Sequence, residues 1–553
     1  MNLSSLKNYK YSALFITLAL IAYYPLFFIY FADHDTMHMS LRFMDQSPRF
    51  YAWIQQMVQD HSRYYYYFLF PFISISYVFK NFLYFKLSSI IILLSNIISF
   101  SLLLKHFFPK KNYFLIFPYL FLLLQSYTTN HSLFTGYFPF YQILINFIVF
   151  TFIFFDKYLK DKKKKNLLWF SLFHIASILL SEVVVIYSIL FFWIVFHYRN
   201  QNQCNWLTVF RSNRLLIFII ISVNIIYAAS HLIARIQSQT TYPGNSFKPD
   251  KVSISGYLKT AAGYSIFNIP LIHFANPEFQ KFYKRISNSH HNSLDGKSEK
   301  PSKKNKDIYL LIPFGLAVLL LGLGFLLYQS IPKRDDELSQ FPWILAVLCL
   351  LLMYIPNSLH PLNYHYQEFF LSGKRWATHM SYFSRFGSVL LFTIIISHSC
   401  LHGKKLIKML TLSLVGISIF TTQFNNFFVA IGNKPNLIKW QIVDFLQDSK
   451  DFRTVKCVYS DYLFDPIKVP YYQIGSYRGH HLAKLDFDTE NYWEKYTRIH
   501  KRRTIKFSPT NTKSPYYKNL GKCLRLEIAF DYYTSNPRII LVKQNGITTQ
   551  LEI

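Results

Sequence analysis

The sequence predicts an α-helical polytopic membrane protein that ends in a small α+β or β-rich domain. Three observations carry this reading. Hydrophobic residues make up 52% of the chain and charged residues only 16%, too little polar surface for a soluble protein of this length. The apolar residues, dominated by 56 Phe and 42 Tyr, gather in about ten to twelve runs almost free of charge, the length a helix needs to cross about 30 Å of hydrocarbon. The Lys and Arg behind the formal net charge of +31 stand mostly in short connections between those runs, as in proteins that follow the positive-inside rule.

The first run, 11 to 31, follows the basic residues Lys7 and Lys10. Its length and the lack of a small-residue cleavage site predict a retained span rather than a signal peptide. Further candidate spans are 65–79, 87–104, 113–126, 139–155, 167–180, 183–197, 215–235, 308–328, 341–357, 383–399 and 407–430. The basic connections 156–166, 198–214, 331–340 and 400–406 belong in the cytoplasm. That places the loops 32–64, 236–307 and 358–382, with everything after 430, on the extracytoplasmic side. The segment 65–79 is short and opens on tyrosines that favour the interface, so a re-entrant or interfacial course there keeps the parity of crossings. Within the long loop, 261–275 is apolar enough for a further span and 297–307 is basic; the whole loop is placed outside because long loops tolerate such charge.

Residues 1–430 are thus expected to form the multi-span domain and 431–553 a soluble extracytoplasmic one. The latter alternates short apolar patches with Pro, Asn and Gly, such as "KCVYSDYLF", "LRLEIAF" and "RIILVKQ", which read as strands. "NLIKWQIVDFLQD" at its start reads as a helix. Cys349 and Cys400 lie in apolar runs as packing residues, and Cys204 in a basic loop. Cys457 and Cys523 can form a disulfide if their domain faces an oxidising compartment.

Several functions lack their motifs. No nucleic-acid-reading module accompanies the basic charge, so the expected partner is the lipid bilayer and no nucleic acid. There is no Walker glycine loop, no H-E-x-x-H, no paired Cys-x-x-Cys and no G-x-S-x-G elbow.

The most informative stretch is the first exit from the membrane, "FADHDTMHMSLRF". Asp33 and Asp35 stand at the end of the first span, followed by His34, His38 and Arg42. Acidic groups meet the unfavourable end of the helix dipole there. A carboxylate in that place suits a general base or, paired, an oxygen ligand for a divalent cation, the one cofactor the stretch admits; equally, both are ordinary solvated loop residues. Behind them, Phe50, Trp53, Ile54 and Met57 give an amphipathic helix suited to the membrane surface.

A first span ending in an acidic motif, an interfacial helical loop, many aromatic-rich spans and a C-terminal extracytoplasmic domain together resemble the GT-C superfamily of integral membrane glycosyltransferases. These include the protein mannosyltransferases, aminoarabinose transferases and O-antigen glucosyltransferases. The resemblance covers the layout of about residues 1–430, and in motif only the first loop. It implies an enzyme of the bacterial cytoplasmic (inner) membrane that takes a polyprenyl-phosphate-linked sugar and passes it to a glycan, lipid or protein acceptor. Asp33 or Asp35 would then activate the acceptor.

A second constellation lies in 355–387, with His360, Tyr364, His365, Tyr366, Glu368, Lys374, Arg375 and Arg385. Together with Arg42, the cations Lys374, Arg375 and Arg385 suit a departing lipid phosphate, while His38, Tyr364, His365, Tyr366 and Glu368 suit the sugar. An anchoring belt of basic and aromatic residues has the same composition. Glu182 is an acid within an apolar region, either functional or at a tight turn, and His174 reads as a core histidine. The turn signal "TYPGNSF" at 241–247 has no assigned purpose. Two other readings stay open: a polysaccharide polymerase or ligase leaning on the later arginines, and a non-enzymatic transporter or flippase. The near absence of ionisable residues within the spans disfavours the transporter.

Overall fold

A computed structural model describes residues 3–24, 82–127, 140–203, 205–237, 252–267, 314–323, 342–372, 381–402 and 405–448, five short strands, and a few isolated positions. The helices are α1 (Leu3–Tyr23), α2 (Phe82–Phe107), α3 (Tyr113–Leu123), α4 (Phe140–Asp161), α5 (Lys164–Leu180), α6 (Val183–Tyr187), α7 (Ile189–Asn202), α8 (Trp206–Ser212), α9 (Arg214–Gln237) and α10 (Ile254–Ile266). They continue as α11 (Phe314–Leu323), α12 (Trp343–Tyr354), two 3-10 turns (Ile355–Asn357 and His360–Leu362), α13 (Tyr364–Leu371), α14 (Ser381–His402) and α15 (Lys405–Asp448).

Among the described residues, five stretches are long and apolar enough to cross a membrane: Leu87–Phe107, Gln142–Asp161, Val183–Asn200, Arg214–Ile233 and Lys405–Phe427. Shorter apolar helices occupy Ser12–Tyr23, Tyr113–Leu123, Phe314–Leu323 and Trp343–Asn357. The chain therefore has membrane-spanning character, as its composition predicts. The candidate segment 65–79 lies outside the described residues.

In hydrocarbon, helices gain little from excluding water between them, so association rests on dispersion and close backbone approach. Helix α3 occupies the middle of the bundle, with eight of its residues buried, among them Phe117 and Phe121. Around it an aromatic cluster forms, with Phe100 stacked on Phe117 at 4.8 Å and Phe386 tilted against Phe121 at 4.7 Å. Helices α12 and α14 meet at Gly387, where a side chain would strike the backbone of Cys349 and Met353. At that crossing Ser384 donates to the Met353 carbonyl at 2.6 Å and accepts from Asn357 at 2.7 Å, all in the interior. Cys349 is buried and free, as a packing residue should be.

Two places refine the expected layout. Ser181 and Glu182 occupy the break between α5 and α6, so Glu182 marks a connection rather than the middle of a span. Helix α15 continues for 44 residues, about 66 Å at 1.5 Å per residue, so it extends well past one bilayer crossing. The change of composition near residue 430 is thus no break in the backbone: Ile442, Val443 and Leu446 keep a buried face in the polar part of the same helix.

The described strands β1 (Cys457–Tyr459), β2 (Lys506–Ser508), β3 (Cys523–Ala529), β4 (Ile539–Gln544) and β5 (Ile547–Leu551) pair in the order β2-β1-β3-β4-β5. Strand β1 is parallel to β2 and β3, and β3, β4 and β5 run antiparallel. Cys457 is disulfide-bonded, and Cys523 stands opposite it in the β1–β3 register.

Candidate functional site

The bundle interior holds one concentration of polar groups around a cation. Arg385, in the second turn of α14, is 3% exposed, and its Nη2 donates to Ser126 Oγ at 2.6 Å. A guanidinium keeps its charge near neutral pH, so burying it requires polar groups arranged around it. The hydroxyls of Tyr23, Tyr127 and Tyr382 lie within electrostatic reach of it. They come from the end of α1, from the segment after α3 and from the first turn of α14.

Those segments are held by side-chain bonds that replace missing helical ones. After α3 ends, the Tyr127 N–H donates to Asn426 Oδ1 at 2.8 Å, and Asn426 Nδ2 donates to the Gln125 carbonyl at 2.6 Å. Asn425 Nδ2 donates to the Tyr127 carbonyl at 2.7 Å. Two adjacent asparagines of α15 thereby satisfy the backbone of a non-helical stretch in the interior, which lipid would leave unsatisfied. The Tyr127 hydroxyl donates to the Ala22 carbonyl at 2.6 Å, tying this stretch to the end of α1. Across the cluster, Asn96 Nδ2 of α2 donates to the Tyr382 hydroxyl at 2.9 Å. Buried atoms with hydrogen-bonding capacity unused among the described residues include the Tyr23 hydroxyl, both amide atoms of Gln125 and Asn96 Oδ1. Unused capacity beside a buried cation suits a polar, anionic ligand.

A narrow apolar cleft runs beside this cluster between α2, α4, α7, α12 and α14. Phe100, Phe107, Phe152, Trp193, Leu348 and Phe386 are among its walls, and its unfilled space, open side included, is about 740 Å³. Phe383 and Phe386 line the cleft and flank Arg385 in the chain.

The residues singled out in the sequence fall in three groups. Arg385 is in the cluster. Tyr364, His365, Tyr366 and Glu368 lie on α13, which packs with the 3-10 turn His360–Leu362 against α10. There the Tyr366 ring meets His360 edge-on at 4.7 Å, the Tyr264 hydroxyl donates to the Tyr366 carbonyl at 3.3 Å, and Glu368 is exposed. His365 is described by its backbone alone. Asp33, Asp35, His38, Arg42, Lys374 and Arg375 lie outside the described residues, and among those described no group of three or more His, Cys, Asp or Glu gathers as a metal site. The structure does bring the last residue of α1, Tyr23, to Arg385, two positions that the sequence separates by more than 350 residues.

Sequence reasoning passed over Tyr23, Gln125, Ser126, Tyr127, Tyr382, Asn425 and Asn426. Their signal was legible: "LLQSYTTN" and "TTQFNNFF" place amides and hydroxyls at or inside apolar runs, where polar groups are costly unless they serve packing or function. His174 is fully buried between the rings of Phe170 and Phe191, both at 5.5 Å, and neither ring nitrogen has a partner among the described residues; it belongs to the aromatic core. No family model matches the chain, and no curated protein or solved structure matches it.

Proposed function

We propose that this protein is a membrane glycosyltransferase that moves a sugar from a polyprenyl-phosphate donor to a glycan, lipid or protein acceptor on the extracytoplasmic face. The observation that carries the reading is Arg385, a buried guanidinium beside Tyr23 of α1 and flanked by residues of an apolar cleft. A lipid-linked phosphate needs that combination: a fixed cation for the headgroup and an apolar path for the chain.

In this mechanism the acceptor hydroxyl attacks the anomeric carbon as the bond from that carbon to the phosphate oxygen breaks. Asp33 or Asp35 takes the hydroxyl proton, and the electron pair departs with the polyprenyl phosphate. Arg385, helped by Arg42, Lys374 and Arg375, stabilises the charge that develops there. His38, Tyr364, His365, Tyr366 and Glu368 would hold the sugar, and a divalent cation on Asp33 and Asp35 is the cofactor that fits the scheme. The C-terminal domain, read as α+β or β-rich, sits outside the cytoplasmic membrane; the disulfide at Cys457 supports an oxidising compartment, with Cys523 proposed as its partner.

The test is transfer from a lipid-linked sugar by full-length protein in vesicles. Replacing Asp33 and Asp35 together with Asn, or Arg385 with Gln, should abolish transfer while leaving insertion and helix content intact. Full activity in the double Asp variant would sink the assignment of the base. Arg385 equally suits a polysaccharide polymerase or ligase, and that reading gains if Arg385→Gln is inactive while the double Asp variant is active.

A further inference from the structure

The other end of the bundle carries a different arrangement. His106 Nε2, in the last turn of α2, lies 2.7 Å from Asp156 Oδ2 of α4, and Lys160 Nζ reaches the same oxygen at 2.7 Å. In the connection between α4 and α5, Lys162 donates to Asn213 Oδ1, between α8 and α9. Three connections distant in sequence are thereby fastened into one face. Asp156 is fully buried, its Oδ2 held by His106 and Lys160, and Asp161 accepts from the Lys163 N–H and from Asn166 and lies 3.8 Å from Lys163 Nζ.

The remaining charge on this face is cationic. Lys110 extends from the first connection, Lys164 and Lys165 from the second and Arg211 from the third, all exposed, and Lys163 stays 74% exposed beside Asp161. Aromatic rings mark the depth at which it meets a bilayer. Lys105 lies over Phe114 at 5.7 Å, Lys157 over Phe154 at 5.3 Å and the Arg199 guanidinium over Trp206 at 5.0 Å, a cation–aromatic belt of the kind found where hydrocarbon gives way to headgroups. Helix α8 fits that depth as well: Val209 is buried, while Leu207 and Phe210 are 56% and 43% exposed beside Arg211, as in a helix lying in the interface.

We propose that this face binds the phosphodiester headgroups of anionic phospholipids in the adjoining leaflet. The cations are exposed and spread over three connections rather than converging on one enclosed point, so they match a plane of phosphates better than a single soluble anion. The proposal is independent of the transfer reaction, which is assigned to the opposite end.

Full-length protein in nanodiscs of phosphatidylcholine with phosphatidylglycerol, released from the discs and weighed by native mass spectrometry, reads the preference directly. Wild type should retain phosphatidylglycerol over phosphatidylcholine. A K163Q/K164Q/K165Q/R211Q variant should lose that preference, by roughly fivefold per cation near the surface before screening, with unchanged helix content. Should the variant fail to fold, the wild-type preference should still shrink as NaCl rises from about 50 to about 500 mM. Equal retention of the two lipids by wild type overturns the proposal, as does a folded variant with undiminished preference. Displacement of phosphatidylglycerol by millimolar inorganic phosphate at constant ionic strength also overturns it, because the face would then be a free-phosphate site.

Discussion

Gly387→Ala isolates the close approach of α12 and α14. A Cβ at residue 387 would lie 2.5 Å from the Cys349 carbonyl oxygen and 2.8 Å from both Met353 N and Met353 Cγ. Ordinary contact begins near 3.4 Å, so the helices must part by about 0.9 Å. Two of the three atoms are backbone, so no rotamer change relieves the clash. Overpacking of this kind costs about 1–3 kcal/mol, and opening a packed seam by 0.5–1 Å forfeits a quarter to a half of each dispersion contact along it. Against this, Ala improves on Gly within a helix by about 1 kcal/mol. The net expectation is a loss of about 0–2 kcal/mol against wild type, and of about 1–3 kcal/mol against a Gly→Ala change that meets no clash. The same displacement stretches the 2.6 Å bond from Ser384 to the Met353 carbonyl and shifts Arg385, two residues from Gly387, so activity should fall more steeply than stability. Thermal unfolding in nanodiscs by tryptophan fluorescence measures the first effect. Gly315→Ala and Gly322→Ala provide the internal control, since a Cβ there meets nothing within 4 Å, and both should leave stability unchanged or raise it slightly. A Gly387→Ala protein as stable as these controls would refute the close-approach argument.

Asp156→Ala should cost about 1–2 kcal/mol. That is less than the 3–5 kcal/mol of a fully buried pair, because Lys160 is 44% exposed and finds water when the carboxylate is gone; chemical unfolding in detergent measures it, and no change would mean that the contact to His106 carries no weight. Tyr257 makes a pH prediction. Its own burial, followed by its hydrogen bond with Tyr354, pushes its phenol up to about 12 from the ordinary 10. The folded state therefore holds this proton where the unfolded state has lost it, and the resulting stability is lost as pH rises from about 10 through about 12. The fall in melting temperature over that window should be shallower in Tyr257→Phe; identical slopes would remove Tyr257 as the cause.

Most of the helical framework was legible because a bilayer demands long apolar runs with satisfied backbones. The runs at 87–104, 215–235 and 407–430 reappear inside described helices, as does 139–155 from residue 140 onward. The continuity of α15 was harder to see. Pro435 and the polar residues around it argue locally for a stop, whereas Ile442, Val443 and Leu446 gain enough from burial to keep the helix going. At the polar cluster, composition showed Arg385 as a cation near an interface, while its burial depends on Ser126 and on residues from α1, α3 and α15 that no local pattern links to it.

By itself, then, the sequence determined a helical membrane-spanning chain and the positions of its charges, since hydropathy acts residue by residue against a uniform solvent. Only the tertiary structure decided which polar residues share an environment. Tyr23, Ser126, Tyr127, Arg385 and Asn426 are brought together by helix packing, and the basic connections become one face through His106–Asp156 and Lys162–Asn213. Those bonds join positions about 50 to 300 residues apart, and their geometry follows from side chains interlocking between helices, which periodicity along one chain segment does not encode.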